Sequence, residues 1–255
     1  MIKIKTTEEI EIMKVSGRIL AETLFEVLKH VRPGVSEKEL DQLADQLIVE
    51  KGGYPGFKKV KGYFNATCIS TNDVVVHGIP SDYRLMEGDV IGIDCGVYYK
   101  GFHTDMSETV RVRSQDSKIK SDDVDKFLEI GKKALDDGIS QAVLGNHVGD
   151  ISKAIQAIVE GNGYSIVKSL VGHGVGRDLH EEPEIPGYLS VNINKTPVLR
   201  AGMVIAVEVI YNMGKDDIVL ANEDGWTIKS KDGSISGVFE RTIAITSNGT
   251  VILTK

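Results

Sequence analysis

Nowhere in the 255 residues does an uncharged apolar run reach about 18 positions, the length that a membrane-spanning helix needs. No membrane span is predicted. The opening segment, Met1-Ile-Lys-Ile-Lys-Thr-Thr-Glu-Glu-Ile10, turns acidic and amphipathic at once and lacks the apolar stretch of a secretory signal. Cysteine is scarce. Cys68 and Cys95 form no CxxC pair and at most one disulfide, so free thiols in a reducing compartment are expected. Positive charge is also short, with 30 Lys and Arg against 37 Asp and Glu for a net charge of −7, which argues against nucleic acid or an anionic membrane as the main partner. No linker or low-complexity segment stands out. What remains is a cytoplasmic globular protein, and 41% hydrophobic with 26% charged residues is ordinary for that class.

The elements alternate in kind along the chain. Thr6 with Glu9 forms a capping-box pattern, and Ile10, Met13, Ile19, Leu20, Leu24 and Leu28 continue at roughly helical spacing until Pro33-Gly34. Ser36 with Glu39 starts a second helix, which Gly52-Gly53 stops. Residues 63–113 then read as strands. Ser121-Asp122-Asp123 opens another helical stretch to about Leu144, and Asp150 is the expected cap of a fourth, with Ile151, Ile155, Ile158 and Val159 on its buried side. From Ser165 onward the chain is β-like, punctuated at Asn212–Asp217, Glu223–Gly225 and Asp232–Gly233. A helix pair and a set of strands therefore occur twice. That order suggests one domain, 1–255, made of two similar halves of about 1–120 and 121–255 around a shared central site.

Ionisable residues recur where apolar ones would be expected. In Val90-Ile-Gly-Ile-Asp94-Cys-Gly-Val-Tyr-Tyr-Lys100-Gly101-Phe-His-Thr-Asp105 an apolar run ends on Asp94, and a Lys100-Gly101 turn separates two β-prone segments. A hairpin there brings both carboxylates to one place. An acid among apolar neighbours is costly unless a partner or a cation offsets it. Gly172-His173-Gly174, Leu179-His180-Glu181-Glu182-Pro183, Val207-Glu208-Val209 and Phe239-Glu240-Arg241 repeat the pattern. With Asp94, Asp105, Glu208 and Glu240 as carboxylates and His173 as a neutral imidazole, the charge balances two divalent ions. Oxygen-rich sets with one imidazole suit Mn, Mg and Fe(II). Shared carboxylates would hold such ions about 3.5–4 Å apart, as in two-metal hydrolases. Each residue also has a plain alternative: Asp94 as a turn or cap residue, Glu208 and Glu240 as exposed strand positions, His173 as a loop residue, and His180 with Glu181 and Glu182 as a surface ion cluster. Read this way alone, the chain is a dinuclear hydrolase candidate.

The ordered set resembles the methionine aminopeptidases, and more narrowly the short bacterial type I enzymes. The resemblance spans nearly the whole chain. It rests on Val76-His77-Gly78-Ile79-Pro80, Ile93-Asp94 with Asp105, Gly172-His173-Gly174-Val-Gly176-Arg, His180-Glu-Glu-Pro183, Gly202-Met203, Asp224-Gly225-Trp226 and Glu240-Arg-Thr242. It implies an α+β pita-bread (creatinase/aminopeptidase) fold with two pseudo-symmetric halves around a dinuclear centre. It also implies metal ligands at Asp94, Asp105, His173, Glu208 and Glu240, with Asp105 and Glu240 bridging. His77 and His180 would hydrogen-bond substrate and transition state, and Glu208 would also shuttle the proton of the attacking water. Tyr63, Cys68, His77 and Trp226 would line the side-chain pocket, although Cys68 and Trp226 read equally as plain core. The implied activity is removal of the N-terminal methionine from nascent polypeptides when the second residue is small, by hydroxide held between two divalent ions (Mn, Fe(II) or Co). A monomer is expected, with the ribosome as a candidate partner.

Four positions depart from the family pattern: Val209 where proline is common, Leu179 where an aromatic is common, and Val60 and Phe64 where tyrosine and proline are frequent. None removes a ligand. They bear on pocket shape. An Xaa-Pro peptidase of the same fold usually carries a sizeable N-terminal domain, whereas only 93 residues precede Asp94. The stretch from His180 to Glu208 is too short for the helical insert of the type II enzymes. A binding protein that keeps the fold without catalysis would typically have lost ligands, and all five are present.

Overall fold

Both capping boxes close as the sequence predicts. The Thr6 hydroxyl accepts the Glu9 N–H at 3.2 Å while the Glu9 carboxylate accepts the Thr6 N–H at 3.0 Å, and α1 runs Thr7–Lys29. Ser36 and Glu39 repeat the exchange ahead of α2, Glu37–Glu50. The computed structural model describes residues 1–119, 122–221 and 224–255. The expected helix opening at Ser121, the division of the halves at 120/121 and the Glu223 end of one turn lie outside the described residues. Asp122 caps α3, Asp123–Ser140, which stops four residues short of Leu144. One cap is placed differently from the expectation. Helix α4, Val148–Gly161, has His147 at its N-cap, and Asp150 sits one turn inside, accepting the His147 N–H at 2.8 Å. An acid three residues into a helix serves the same orphan N–H groups as an acid at the cap, so composition alone does not separate the two positions.

Six strands build the site: β1 (Thr67–Thr71), β2 (Val90–Tyr99), β3 (Phe102–Arg111), β4 (Gly172–Gly174), β5 (Val204–Asn212) and β6 (Ser236–Thr246). They form one antiparallel sheet in the order β1, β2, β3, β6, β5, β4. The β2–β3 turn is Lys100-Gly101, with φ of +45° and +94°. Two left-handed residues in a row give the two-residue hairpin whose twist matches its strands, and glycine carries the second at little steric cost.

Alternation along these strands separates two faces. Ile69, Ile91, Ile93, Cys95, Val97 and Met106 pack against α1 and α2. Ile205, Val207, Val209, Tyr211, Phe239, Ile243 and Ile245 pack against α3 and α4. All of these side chains are 5% exposed or less. The intervening residues face away from the helices, and among them are all four candidate carboxylates. Cys68 and Cys95 fall on opposite faces, and both thiols are free. A second antiparallel sheet of Val74–Val76, Ile218–Leu220 and Ile228–Ser230 delivers His77 at the end of one strand and Trp226 just before another. Among the described residues no helix is long and apolar enough to cross a membrane.

Candidate metal centre

Cross-strand register sets the site out in two rows. In the first, Cys68 is opposite Asp94, Asp94 opposite Ser107, Ser107 opposite Glu240 and Glu240 opposite Glu208. In the second, Asp105 is opposite Gly96, two positions along each strand, and Thr242 with Ala206 leads to His173. Thr242 stitches this second row together: its hydroxyl accepts the Asp105 N–H at 2.9 Å and donates to the Asp105 carbonyl at 2.8 Å. Five donors from β2, β3, β4, β5 and β6 thus meet on one face. Ligand atoms of Asp105, His173 and Glu240 lie within 4.8 Å of one another.

Burial and mutual repulsion dominate the electrostatics. Asp105 and Glu240 are 4% and 3% exposed, so neither is a surface strand residue. Burial, then the Glu208 charge, pushes Asp105 up to about 7. Burial, then Asp94, pushes Glu208 up to about 8. Asp94 rises well above the usual carboxylate range through burial and Asp105. Glu240 does the same through burial and its three acidic neighbours, with Arg241 opposing. Four carboxylates in one apolar-walled site hold protons that exposed ones would have lost. The imidazoles move the other way: burial and His180 bring His173 down to about 4, and burial lowers His180 and His77. His173 Nδ1 lies 2.9 Å from the Gly174 carbonyl, which can only accept, so Nδ1 carries the proton and Nε2 keeps its lone pair.

A donor set of four carboxylates and one neutral imidazole fits hard or borderline divalent cations. Asp94 Oδ1 is buried without a hydrogen-bond partner among the described residues, and so is the Ser107 hydroxyl beside it. Unsatisfied buried oxygens are rare in folded proteins. A cation there would satisfy Asp94 Oδ1 and favour the charged form of the carboxylates around it.

A cavity of about 610 Å³ opens over this face. Its lining includes Asp94, Asp105, His173, Glu208 and Glu240, together with His77, His180, Tyr63, Cys68 and Trp226. Every site residue expected from sequence therefore borders one space. The His180 ring stands 4.4 Å from that of His173, at 70°. His77 is left-handed, φ +59°, an uncommon conformation for a residue with a side chain. Gly78 follows because a Cβ there would lie 2.0 Å from the Ile69 carbonyl of β1. An apolar cluster of Phe57, Tyr63, Cys68, Leu179, Val60 and Trp226 lines the same cavity. The Tyr63 hydroxyl donates to the Thr67 carbonyl at 2.7 Å, and its ring meets Trp226 edge-on at 5.2 Å. Asp224 accepts the N–H groups of Trp226 and Thr227 at 2.8 and 2.9 Å, fixing the turn that presents the indole.

Two of the four departures, Leu179 and Val60, line the cavity. Val209 packs on the helix side and Phe64 is 83% exposed. Glu181 is not part of a surface cluster, because its side chain is only 1% exposed and paired with Lys5. No local pattern announces that pair, whose members are 176 positions apart. Ser107, a serine within a β-run, carries no sequence signal of its own.

Residues 11–247 match the model of Metallopeptidase family M24. Methionine aminopeptidase 1 of Bacillus subtilis is 44% identical over 255 residues, covering the whole of both chains. The crystal structure of methionine aminopeptidase from Thermotoga maritima superposes with a TM-score of 0.93 at 39% identity, again over the whole of both chains. The prolidase from Pyrococcus furiosus has a TM-score of 0.77 at 25% identity, with 99% of this chain matched to 65% of that one.

Proposed function

The chain belongs to metallopeptidase family M24, among its methionine aminopeptidases, and from that membership we propose that it removes the N-terminal methionine of nascent polypeptides whose second residue is small. It is a metal-dependent aminopeptidase. Asp94, Asp105, His173, Glu208 and Glu240 would hold two divalent ions, Mn, Fe(II) or Co. The observation that carries this reading is the pair of adjacent rows, which turn five candidate ligands from five strands toward one cavity.

Bound divalent ions would supply Lewis acidity and lower the pKa of a bound water to about 7. The protein's own groups do the remainder. Glu208, raised by burial and then by Asp94, takes the proton of the attacking water on its carboxylate and passes it to the departing amine. His77 and His180 are neutral imidazoles at pH 7, each with one N–H to donate, and they hold the scissile carbonyl as negative charge develops on its oxygen. Tyr63, Cys68 and Trp226 form a narrow apolar wall suited to an unbranched thioether. Leu179 and Val60 replace larger side chains common in the family and widen that wall. The chain acts as one cytoplasmic catalytic domain of two pseudo-repeated halves, as a monomer, on chains emerging from the ribosome.

The test is a peptide panel digested by metal-reconstituted protein and read by mass spectrometry. It contains Met-Ala-Ser, Met-Lys-Ser, Leu-Ala-Ser and Ala-Pro-Ser peptides. Loss of methionine from the first alone is expected. Cleavage only before proline moves the assignment to the Xaa-Pro branch.

A further inference from the structure

His180 sits on a short turn, Gly176–Glu181, and that turn is bent around a buried carboxylate. Both carboxylate oxygens of Glu181 accept hydrogen bonds, from the turn itself and from the N-terminal segment. Oε2 accepts Lys5 Nζ at 2.7 Å, with the two side chains 4% and 1% exposed. Oε1 accepts the backbone N–H groups of Arg177 at 3.0 Å and Asp178 at 3.3 Å, and Lys3 Nζ at 3.2 Å. At its base the turn is tied to the hairpin, because the His103 N–H donates to the Gly176 carbonyl at 2.7 Å. Lys5 is itself held, since its N–H donates to the Gly202 carbonyl at 2.7 Å, just before β5. The residue next to Glu181 is His180, whose ring stands against that of His173.

A buried ion pair adds little net stability, because desolvation offsets much of the Coulomb attraction. What it fixes is geometry. Exposed contacts on the same turn, Lys3 with Asp178 at 2.6 Å and Arg177 with Glu9 at 2.8 Å, are of the kind worth little energetically. We propose that Lys5 is a positioning residue for the peptidase reaction: through Glu181 it locks the Gly176–Glu181 turn and so aims the His180 imidazole at the substrate carbonyl. This rests on the role proposed for His180, and the experiment separates the two.

Full-length, metal-loaded protein is compared as wild type, Lys5→Met, Lys5→Arg, His180→Ala and the Lys5→Met/His180→Ala double variant, on a Met-Ala-Ser peptide. Lys5→Met is expected to lower kcat by about 10-fold, in the range found for residues that orient a site from behind, with KM within about twofold. Lys5→Arg restores kcat. In the His180→Ala background Lys5→Met has no further effect, because the residue it aims is gone. A second readout needs no turnover: amide hydrogen exchange at Arg177 and Asp178 accelerates in Lys5→Met and not in Lys5→Arg. Where Lys5→Met fails to fold, Glu181→Gln gives the same comparison. Wild-type turnover in Lys5→Met, an equal loss on top of His180→Ala, or unchanged exchange at the two amides overturns the proposal. A wild-type protein that releases no methionine defeats the functional reading instead.

Discussion

Glu240 and Glu208 stand directly opposite each other on β6 and β5, on the face turned away from the helices. Like charges in that relationship repel, and burial of Glu240 strengthens the repulsion. The pair is tolerable only when a proton or a cation stands between its members. Most of the behaviour expected of this protein follows from that condition.

Alanine at Asp105 or Glu240 removes a carboxylate shared by both ions in the proposed centre. Turnover is expected to fall to background, and bound metal measured by elemental analysis to drop from two ions per chain. Near-normal activity in either variant would sink the two-ion assignment.

Metal-free protein should lose stability as pH rises through neutrality. Asp105 and Glu208 are raised to about 7 and about 8 in the folded chain, so the native state binds more protons than the unfolded one up to that range. Stability then falls as pH climbs toward 8. His173 and His103, lowered by burial to about 4 from 6.5, act in the opposite sense between those values. The informative window is therefore about pH 6.5 to 8. Thermal melts of chelator-treated protein should decline there, and Glu208→Gln should flatten the decline. Wild-type melts that rise across the window contradict the cluster's electrostatics.

Proton release should accompany metal binding in the same window, since carboxylates holding protons at pH 7 give them up to a cation. Calorimetry of Mn or Co binding in two buffers of different ionisation enthalpy measures the number released. A value of zero at pH 7 is incompatible with the raised Asp105 and Glu208.

Gly78→Ala puts a methyl group against the Ile69 carbonyl and has to shift His77 or β1. An expected loss of about 100-fold in kcat corresponds to a displacement near 1 Å at a catalytic group. Metal content should be unchanged, because no ligand lies on that segment. Unaltered kinetics would remove His77 from the reaction.

Gly101→Val tests the hairpin separately from the chemistry. Its φ of +94° suits no β-branched residue, and the cost is about 1–2 kcal/mol, visible as a lower denaturant midpoint. An unchanged midpoint would mean that the turn adopts another form.

Local chemistry makes much of this legible in the sequence. Thr6/Glu9 and Ser36/Glu39 are complete signals within four residues, and Lys100-Gly101 predicts its own turn. Asp150 misled because a position three residues into a helix and the cap itself attract the same side chains. The five candidate ligands stand out by residue type and order. Their arrangement in two rows does not, because the register between β3 and β6 depends on pairings more than 130 positions apart, such as Thr242 with Asp105 at a separation of 137. Lys5 and Glu181 were invisible for the same reason, and a lysine followed far along by a glutamate is commonplace in any sequence.

The position of β6 has a consequence for how the protein comes into being. It is the late strand that lies between β3 and β5, so it joins the early hairpin to the later strands. A chain emerging during synthesis carries two aspartates, then a histidine, then a glutamate, with the central seam still missing. Until residues 236–246 arrive, those donors sit on pieces that no ladder connects, and a metal ion finds only partial chelates. The candidate donor set is therefore complete only once residues 236–246 have paired with both of their neighbours.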